Sequence, residues 1–158
     1  MKKIILILLF TIPFLGFGQT DSIKKYHENG QLESIGILNN GKKDGVWKEY
    51  YKNGQLKKKE KYKDRMLDGE SNYYHKNGNL KVINYNWKKW TLYSKYYNIH
   101  GQIESEGGFK DIYKDGSWKY YYKDGQIKKE IVWTGMSKSN IISKKCWNEN
   151  GNKIECEE

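Results

Sequence analysis

The residues able to do chemistry in this chain are few, and their spacing is regular. Histidine, a common metal ligand and a proton carrier near neutral pH, occurs as His27, His75 and His100. Cys146 and Cys156 are the only thiols. Glu49, Glu60, Glu104 and Glu130 sit within aromatic-rich stretches, where a perturbed carboxyl would act as an acid or base. Trp47, Tyr51, Trp118, Tyr120 and Tyr122 offer flat rings of the kind that stack on sugars, with lysines around them that attract anions. A catalytic site needs unlike groups converging on one point. Here they recur instead at fixed places in a repeating phrase. His27 and His75 each stand three residues before a glycine, and His100 stands one before. They read as turn-surface histidines strung along an edge, and the glutamates as solvated partners of lysines across neighbouring strands. No Gly-rich phosphate loop, Ser–His–Asp set or paired-cysteine ligand set is present. No catalytic residue, metal ligand or cofactor is therefore assigned, and the chain reads as a non-enzyme.

The repeating phrase is Tyr26-His-Glu-Asn-Gly30, followed by versions ending at Gly54, Gly78, Gly101, Gly125 and Gly151. Successive glycines are 24, 24, 23, 24 and 26 residues apart. A period this constant marks a repeat array whose units contact mainly their neighbours. Asn53-Gly54 between aromatic-rich runs is a strong hairpin signal, because both residues tolerate positive φ. Trp47, Glu49 and Tyr51 alternate on the incoming strand. On the outgoing strand Leu56, Lys58, Glu60 and Tyr62 fall on one face, and Lys57, Lys59 and Lys61 on the other, which must be wet. One solvated face predicts an antiparallel sheet.

The structural positions recur: Tyr50, Tyr74 and Tyr121 before the turn glycines Gly54, Gly78 and Gly125, with Leu56, Leu80 and Ile127 two residues after them. Tyr26, Tyr97 and Trp147 complete that aromatic row. A second turn is predicted at Lys43-Asp44-Gly45, Leu67-Asp68-Gly69 and Lys114-Asp115-Gly116. Leu92 and Ile142 replace its glycine in two units, so a kink or bulge is expected near Trp87–Leu92 and a loop near Gly135–Asn140. The predicted fold is all-β: an elongated single-layer antiparallel meander of about six hairpins, occupying residues 26–158 after a short lead at 19–25. Twelve strands about 4.8 Å apart would form a twisted ribbon some 55 Å long.

Residues 1–18 read as a cleavable signal peptide. Lys2 and Lys3 precede an apolar run from Ile4, and small Gly16 and Gly18 precede Gln19. A buried N-terminal helix is the alternative. Export to the periplasm, outer-membrane surface or medium follows, and favours a Cys146–Cys156 disulfide around the last turn over two free thiols. Such a ring would staple the terminal hairpin. The two cysteines would face each other directly if the loop had an odd length centred on Gly151. The formal charge is +10 and Arg65 is the only arginine. Lysine is a hydrated point charge poorly suited to reading base edges, so sequence-specific nucleic-acid binding is not expected. The charge would serve an anionic surface, or simply protect exposed sheet edges.

The phrases Gly45-Val-Trp47-Lys-Glu-Tyr50 and Gly116-Ser-Trp118-Lys-Tyr-Tyr121 resemble the MORN-repeat variant proteins of bacteria, a group that includes YwqK-type antitoxins. The resemblance covers residues 26–158. It implies an elongated β-meander, a binding or scaffolding role and no catalytic residues. Three functions are compatible with these readings. One is a protein-interaction module of the cell envelope. Another is a glycan or anionic-headgroup binder using Trp47, Tyr51, Trp118, Tyr120 and Tyr122, although the same rings also serve as cross-strand packing. The third is antitoxin-like neutralisation.

Overall fold

The computed structural model describes residues 20–88, 91–134 and 140–157. Its strands are β1 (Thr20–Tyr26), β2 (Leu32–Asn39), β3 (Lys42–Tyr50), β4 (Leu56–Lys63), β5 (Met66–Tyr74) and β6 (Leu80–Lys88). They continue as β7 (Thr91–Tyr97), β8 (Ile103–Lys110), β9 (Tyr113–Tyr121), β10 (Ile127–Thr134), β11 (Ile141–Trp147) and β12 (Lys153–Ile154). All twelve form one sheet in chain order, each antiparallel to the next. Strands make contact only with their chain neighbours. This is the expected single-layer meander of six hairpins. The stretch read as an N-terminal lead is itself β1.

The six tips share one geometry. At the second tip the Tyr51 amide donates to the Gln55 carbonyl at 2.8 Å and the Gly54 amide to the Tyr51 carbonyl at 2.9 Å. Gly54 has φ 82°, whereas Asn53 keeps negative φ. This is a type I turn closed by a left-handed glycine, rather than a two-residue turn with both residues at positive φ. Asn53 contributes through its side chain, accepting a bond from the Gln55 amide at 3.1 Å.

Beyond each of the first five tips one residue bulges. Tyr50 lies opposite Leu56 but Glu49 lies opposite Lys58, which leaves Lys57 extra. The shift recurs in the other four. A one-residue slip inverts every following side chain. Leu56 therefore shares the back face with Tyr50, while Lys58, Glu60 and Tyr62 share the front face with Trp47 and Glu49. The predicted common face for Leu56 and Lys58 is thus corrected.

The Asp-Gly pairs are not turns. Chain reversal occurs earlier, with Asn40 (φ 50°) and Gly41 (φ 72°) between β2 and β3, and Asp64 (φ 50°) and Arg65 (φ 70°) between β4 and β5. Gly45, Gly69 and Gly116 instead lie inside β3, β5 and β9. There Ile35 pairs with Lys48 but Ile37 with Asp44, so the later strand carries two extra residues. The same insertion recurs against β4 and β8. Positive φ at Gly45 (63°) and Gly116 (67°) lets the strand take this bulge. β7, with Leu92 in place of glycine, pairs with β6 with a single irregularity between Asn86 and Lys88, where a bulge was predicted. The predicted loop at 135–139 lies outside the described residues.

The centre of the sheet is one row on the front face. From Trp47 each residue stands directly opposite the next: Glu60, Ser71, Asn84, Ser94, Gly107, Trp118 and Ile131. Glu60, Ser71, Ser94, Gly107, Trp118 and Ile131 are buried. Gly36 and Gly107 lie beneath the indoles of Trp47 and Trp118, in space that a Cβ would overlap.

At the far end the Cys146–Cys156 disulfide is present, with Cα atoms 5.3 Å apart. The last loop pairs Trp147 with Lys153, so it centres on Asn150, and Cys146 faces Ile154. Cys156 is reached on the diagonal, two residues further. The small ring stabilises by roughly 2–3 kcal/mol.

Gly107→Ala will force the Trp118 indole off its seat and lower stability by about 1–3 kcal/mol. A urea unfolding midpoint unchanged from the parent protein would contradict this packing.

Candidate functional site

Two copies of one packing unit organise the aromatic side chains of the front face. In Lys114-Asp115-Gly116-Ser117-Trp118 the bulge at Gly116 lets the lysine fold back over the indole four residues on. The Lys114 ammonium sits 4.1 Å from the Trp118 ring centre, and donates to the Tyr120 hydroxyl at 2.7 Å. Phe109 meets the indole edge-on at 4.9 Å, and Tyr96 and Tyr120 flank it at 6.1 and 6.3 Å. The indole N–H donates to the Gly108 carbonyl at 2.7 Å. Lys43-Asp44-Gly45-Val46-Trp47 repeats the device, with Lys43 4.6 Å over Trp47 and 4.9 Å over Tyr62. Sequence reading missed this lysine–indole contact. Its signal was the recurrence of Lys-Asp-Gly-x-Trp.

These contacts correct one expectation. Trp118 is only 2% exposed, so it cannot stack on a ligand and belongs to the packing. Of the other four ring residues Tyr120 flanks it, whereas Trp47 lies on β3 and Tyr51 and Tyr122 at the tips. Trp47 lines a groove of about 480 Å³ with Leu38, Lys43 and Glu49. Tyr120 is half-buried beside Lys114 and Lys129, the latter 5.0 Å from its ring centre. A second front groove, of about 430 Å³, runs over β5–β8 between Tyr73, Val82, Leu92, Tyr96 and Phe109.

Tyr51 and Tyr122 lie at the tips and have a different task. The Tyr51 hydroxyl donates to the Tyr74 carbonyl of the next hairpin at 2.7 Å, and Tyr122 to the Trp147 carbonyl at 2.8 Å. His27 and His75 fill the same slot, each Nε2 bonding the equivalent carbonyl of Tyr50 or Tyr97 at 2.9 and 3.0 Å. Asn29, Asn53 and Asn77 add parallel bonds to Lys52, Lys76 and Ile99 carbonyls. The slot three before the glycine is thus a clasp between successive tips. His100 falls outside it and is exposed, its amide held by Asn98 Oδ1. Among the described residues no three His, Cys, Asp or Glu side chains group as metal ligands.

Glu60 corrects a second expectation, because it is 4% exposed and not solvated. Lys58 lies 3.1 Å from it and 3.0 Å from Glu49. The Tyr62 and Tyr73 hydroxyls donate to its carboxylate at 2.8 and 3.2 Å. Burial alone would raise its pKa, but these bonds and the Lys58 charge hold it below the usual carboxylate value. Burial and the Glu60 bond push the Tyr62 hydroxyl up to about 12. On the back face Glu106 forms a counterpart with Tyr121 at 2.5 Å and Lys95 at 3.1 Å. It too is held low, despite burial, by those bonds.

A family model described as MORN repeat variant matches residues 23–40, 43–64, 67–89 and 114–133. The chain belongs to that family. The matched stretches of this MORN repeat variant protein correspond to the hairpins β1–β2, β3–β4, β5–β6 and β9–β10. β7 and β11, outside them, are the strands where Leu92 and Ile142 stand in the glycine position. A search of curated proteins gave no match.

Two outcomes follow from the clasps and the acid network. Tyr51→Phe and Tyr122→Phe should each lose about 0.5–1.5 kcal/mol by orphaning a carbonyl. The two losses should add, because the sites share no partner. Chemical-denaturant curves of the single and double variants check this. Glu60 and Glu106 have depressed folded pKa values. Their contribution is present above the ordinary carboxyl value of about 4.3 and lost as pH falls through the folded values. Glu60→Gln should cost about 1–3 kcal/mol at neutral pH and flatten the acid limb of a stability–pH profile. An unchanged acid limb would remove Glu60 from this role.

Proposed function

We propose that this MORN repeat variant protein is a non-catalytic, exported interaction module that presents its sheet to another protein of the cell envelope. The observation that carries the reading is the linear sheet itself. His27 and His75, the tip asparagines Asn29, Asn53 and Asn77, and the carboxylates of Glu60 and Glu106 are held in clasp and ion-pair duties that recur along the chain, instead of converging on one reacting centre. What remains is an extended front face with two grooves and two sheet edges, the type of surface on which repeat arrays bind partners. Repeat identity also supports a scaffolding role, although likeness of fold is a weaker warrant than a site. Burial of Trp118 and use of Tyr51 and Tyr122 as clasps remove three of the five rings a glycan platform would use, which favours the protein partner over the sugar.

Export rests on residues 1–18: lysines, an apolar run, then small residues ahead of Gln19. Intact protein expressed in a Gram-negative host should be recovered outside the cytoplasm, with a mature N-terminus at Gln19 by mass spectrometry. Chemical cross-linking in envelope extract should then capture one protein in constant ratio. Cytoplasmic retention with residues 1–18 intact would overturn export. Specific retention on insoluble polysaccharide, with no protein captured, would overturn the partner.

A further inference from the structure

The two faces of β8–β11 differ sharply in charge. Strand register places one lysine in each of three successive rows of the front face. Lys129 stands opposite Tyr120, Lys144 opposite Ile131, and Lys114 opposite Phe109. Over β8–β11 no described aspartate or glutamate occupies those rows; Glu49 and Glu60 stand in two of them, but on β3 and β4 at the other end of the sheet. The acids of these strands lie elsewhere by register: Glu106, Asp115 and Glu130 face the back, and Glu104 is the bulge residue beside the tip. Asp111 belongs to the β8–β9 turn and lines the neighbouring groove. The back face by contrast is balanced, with Lys95 on Glu106 and Lys145 on Glu130 at 3.1 and 3.9 Å.

Among the described residues none of the three front-face ammoniums is paired with a carboxylate. Lys114 rests on Trp118 and the Tyr120 hydroxyl, Lys129 on the Tyr120 ring, and Lys144 meets the backbone carbonyl of Glu157 at 2.5 Å. Burial, together with Lys144, Lys128 and Lys114 nearby, holds Lys129 below the ordinary lysine pKa. Like charges have been gathered without counter-ions, and complementary charge from outside would relieve them.

We propose that the front face over β8–β11 docks an extended acidic segment of the partner protein, with one carboxylate beside each of Lys129, Lys144 and Lys114. This deepens the reading of the chain as a protein-binding module and rests on it. Rows of a sheet lie about 7 Å apart, the distance between alternate side chains of an extended chain. Acids at every second position of such a segment match the three lysines row for row. A single phosphate cannot span three rows. A flat bilayer suits Lys114 poorly, because its ammonium is drawn down onto the indole rather than raised above it.

The full chain, titrated with a synthetic peptide of alternating glutamate and threonine, provides the test. Binding should raise the peptide's fluorescence anisotropy, change the protein's tryptophan emission, and weaken as salt rises. Lys129→Gln with Lys144→Gln should reduce affinity roughly tenfold or more at unchanged thermal midpoint. Lys59→Gln with Lys61→Gln on the back face should leave it unchanged. No peptide binding, equal loss from the back-face pair, or binding only to phosphatidylglycerol vesicles would each overturn the proposal. If the envelope partner is still captured by the Lys129/Lys144 double variant, this docking site is wrong while the interaction module stands.

Discussion

A sheet with one layer has nothing to press its apolar side chains against, and the central row of the front face answers that constraint. Trp118 is buried because Gly107 opens a seat beneath it, while Phe109, Tyr96 and Tyr120 wall it and Lys114 closes the top. The cover is an amphipathic side chain with its stem on the ring and its charge toward water. The layer thus supplies its own lid. Trp47, Gly36 and Lys43 repeat the solution near the other end. Between these two units the row turns polar, and Glu60, Ser71, Asn84 and Ser94 replace bulk with hydrogen bonds, as in the 2.7 Å bond from Ser94 to Asn84. Removing an apolar wall therefore damages the ends, and removing a hydrogen-bond partner damages the middle.

Both lids depend on the bulges. A lysine four residues before a tryptophan on a regular strand shares its face but lies too far along the chain to sit over the ring. The two-residue insertion at Gly45 or Gly116 shortens that path. Where β7 lacks the Asp-Gly pair, the row carries Ser94 instead of an indole, and its pairing with β6 has a single irregularity. Bulge and lidded tryptophan thus occur together in β3 and β9. β5 has the bulge but carries Ser71 in the row, so the insertion permits the indole without requiring it.

The element count, pairing order and tip positions were legible in the sequence because each is fixed locally. A glycine that must adopt positive φ recurs at each of the six tips, and the 24-residue period follows from it. What was not legible arises where one residue's meaning depends on register. Leu56 and Lys58 read as same-face neighbours until Lys57 bulges between them. Asp44-Gly45 has the composition of a turn, yet the reversal is made by Asn40-Gly41 just upstream, which leaves the second pair to become an insertion. Glu60 looks like its solvated neighbours because its cover combines Tyr62 of its own strand with Tyr73 of the next, and no local pattern announces the second. The clasp slot was visible as a recurrence of His27 and His75, but its purpose appears only when the next tip is placed beside it.

Because every strand touches only its neighbours, stability and function are separable along the chain in a way a globular core does not permit. The clasps, lids and ion pairs hold each hairpin to the next with terms that sum locally. A segment can then depart from the pattern without disturbing the far end. The C-terminal strands do so on the front face, where lysines gather without the acids that Lys58 finds in Glu49 and Glu60. In a closed core such an imbalance would propagate through shared packing. In a linear array it stays confined to three rows, and a surface can change its partner chemistry while the fold beneath it is kept.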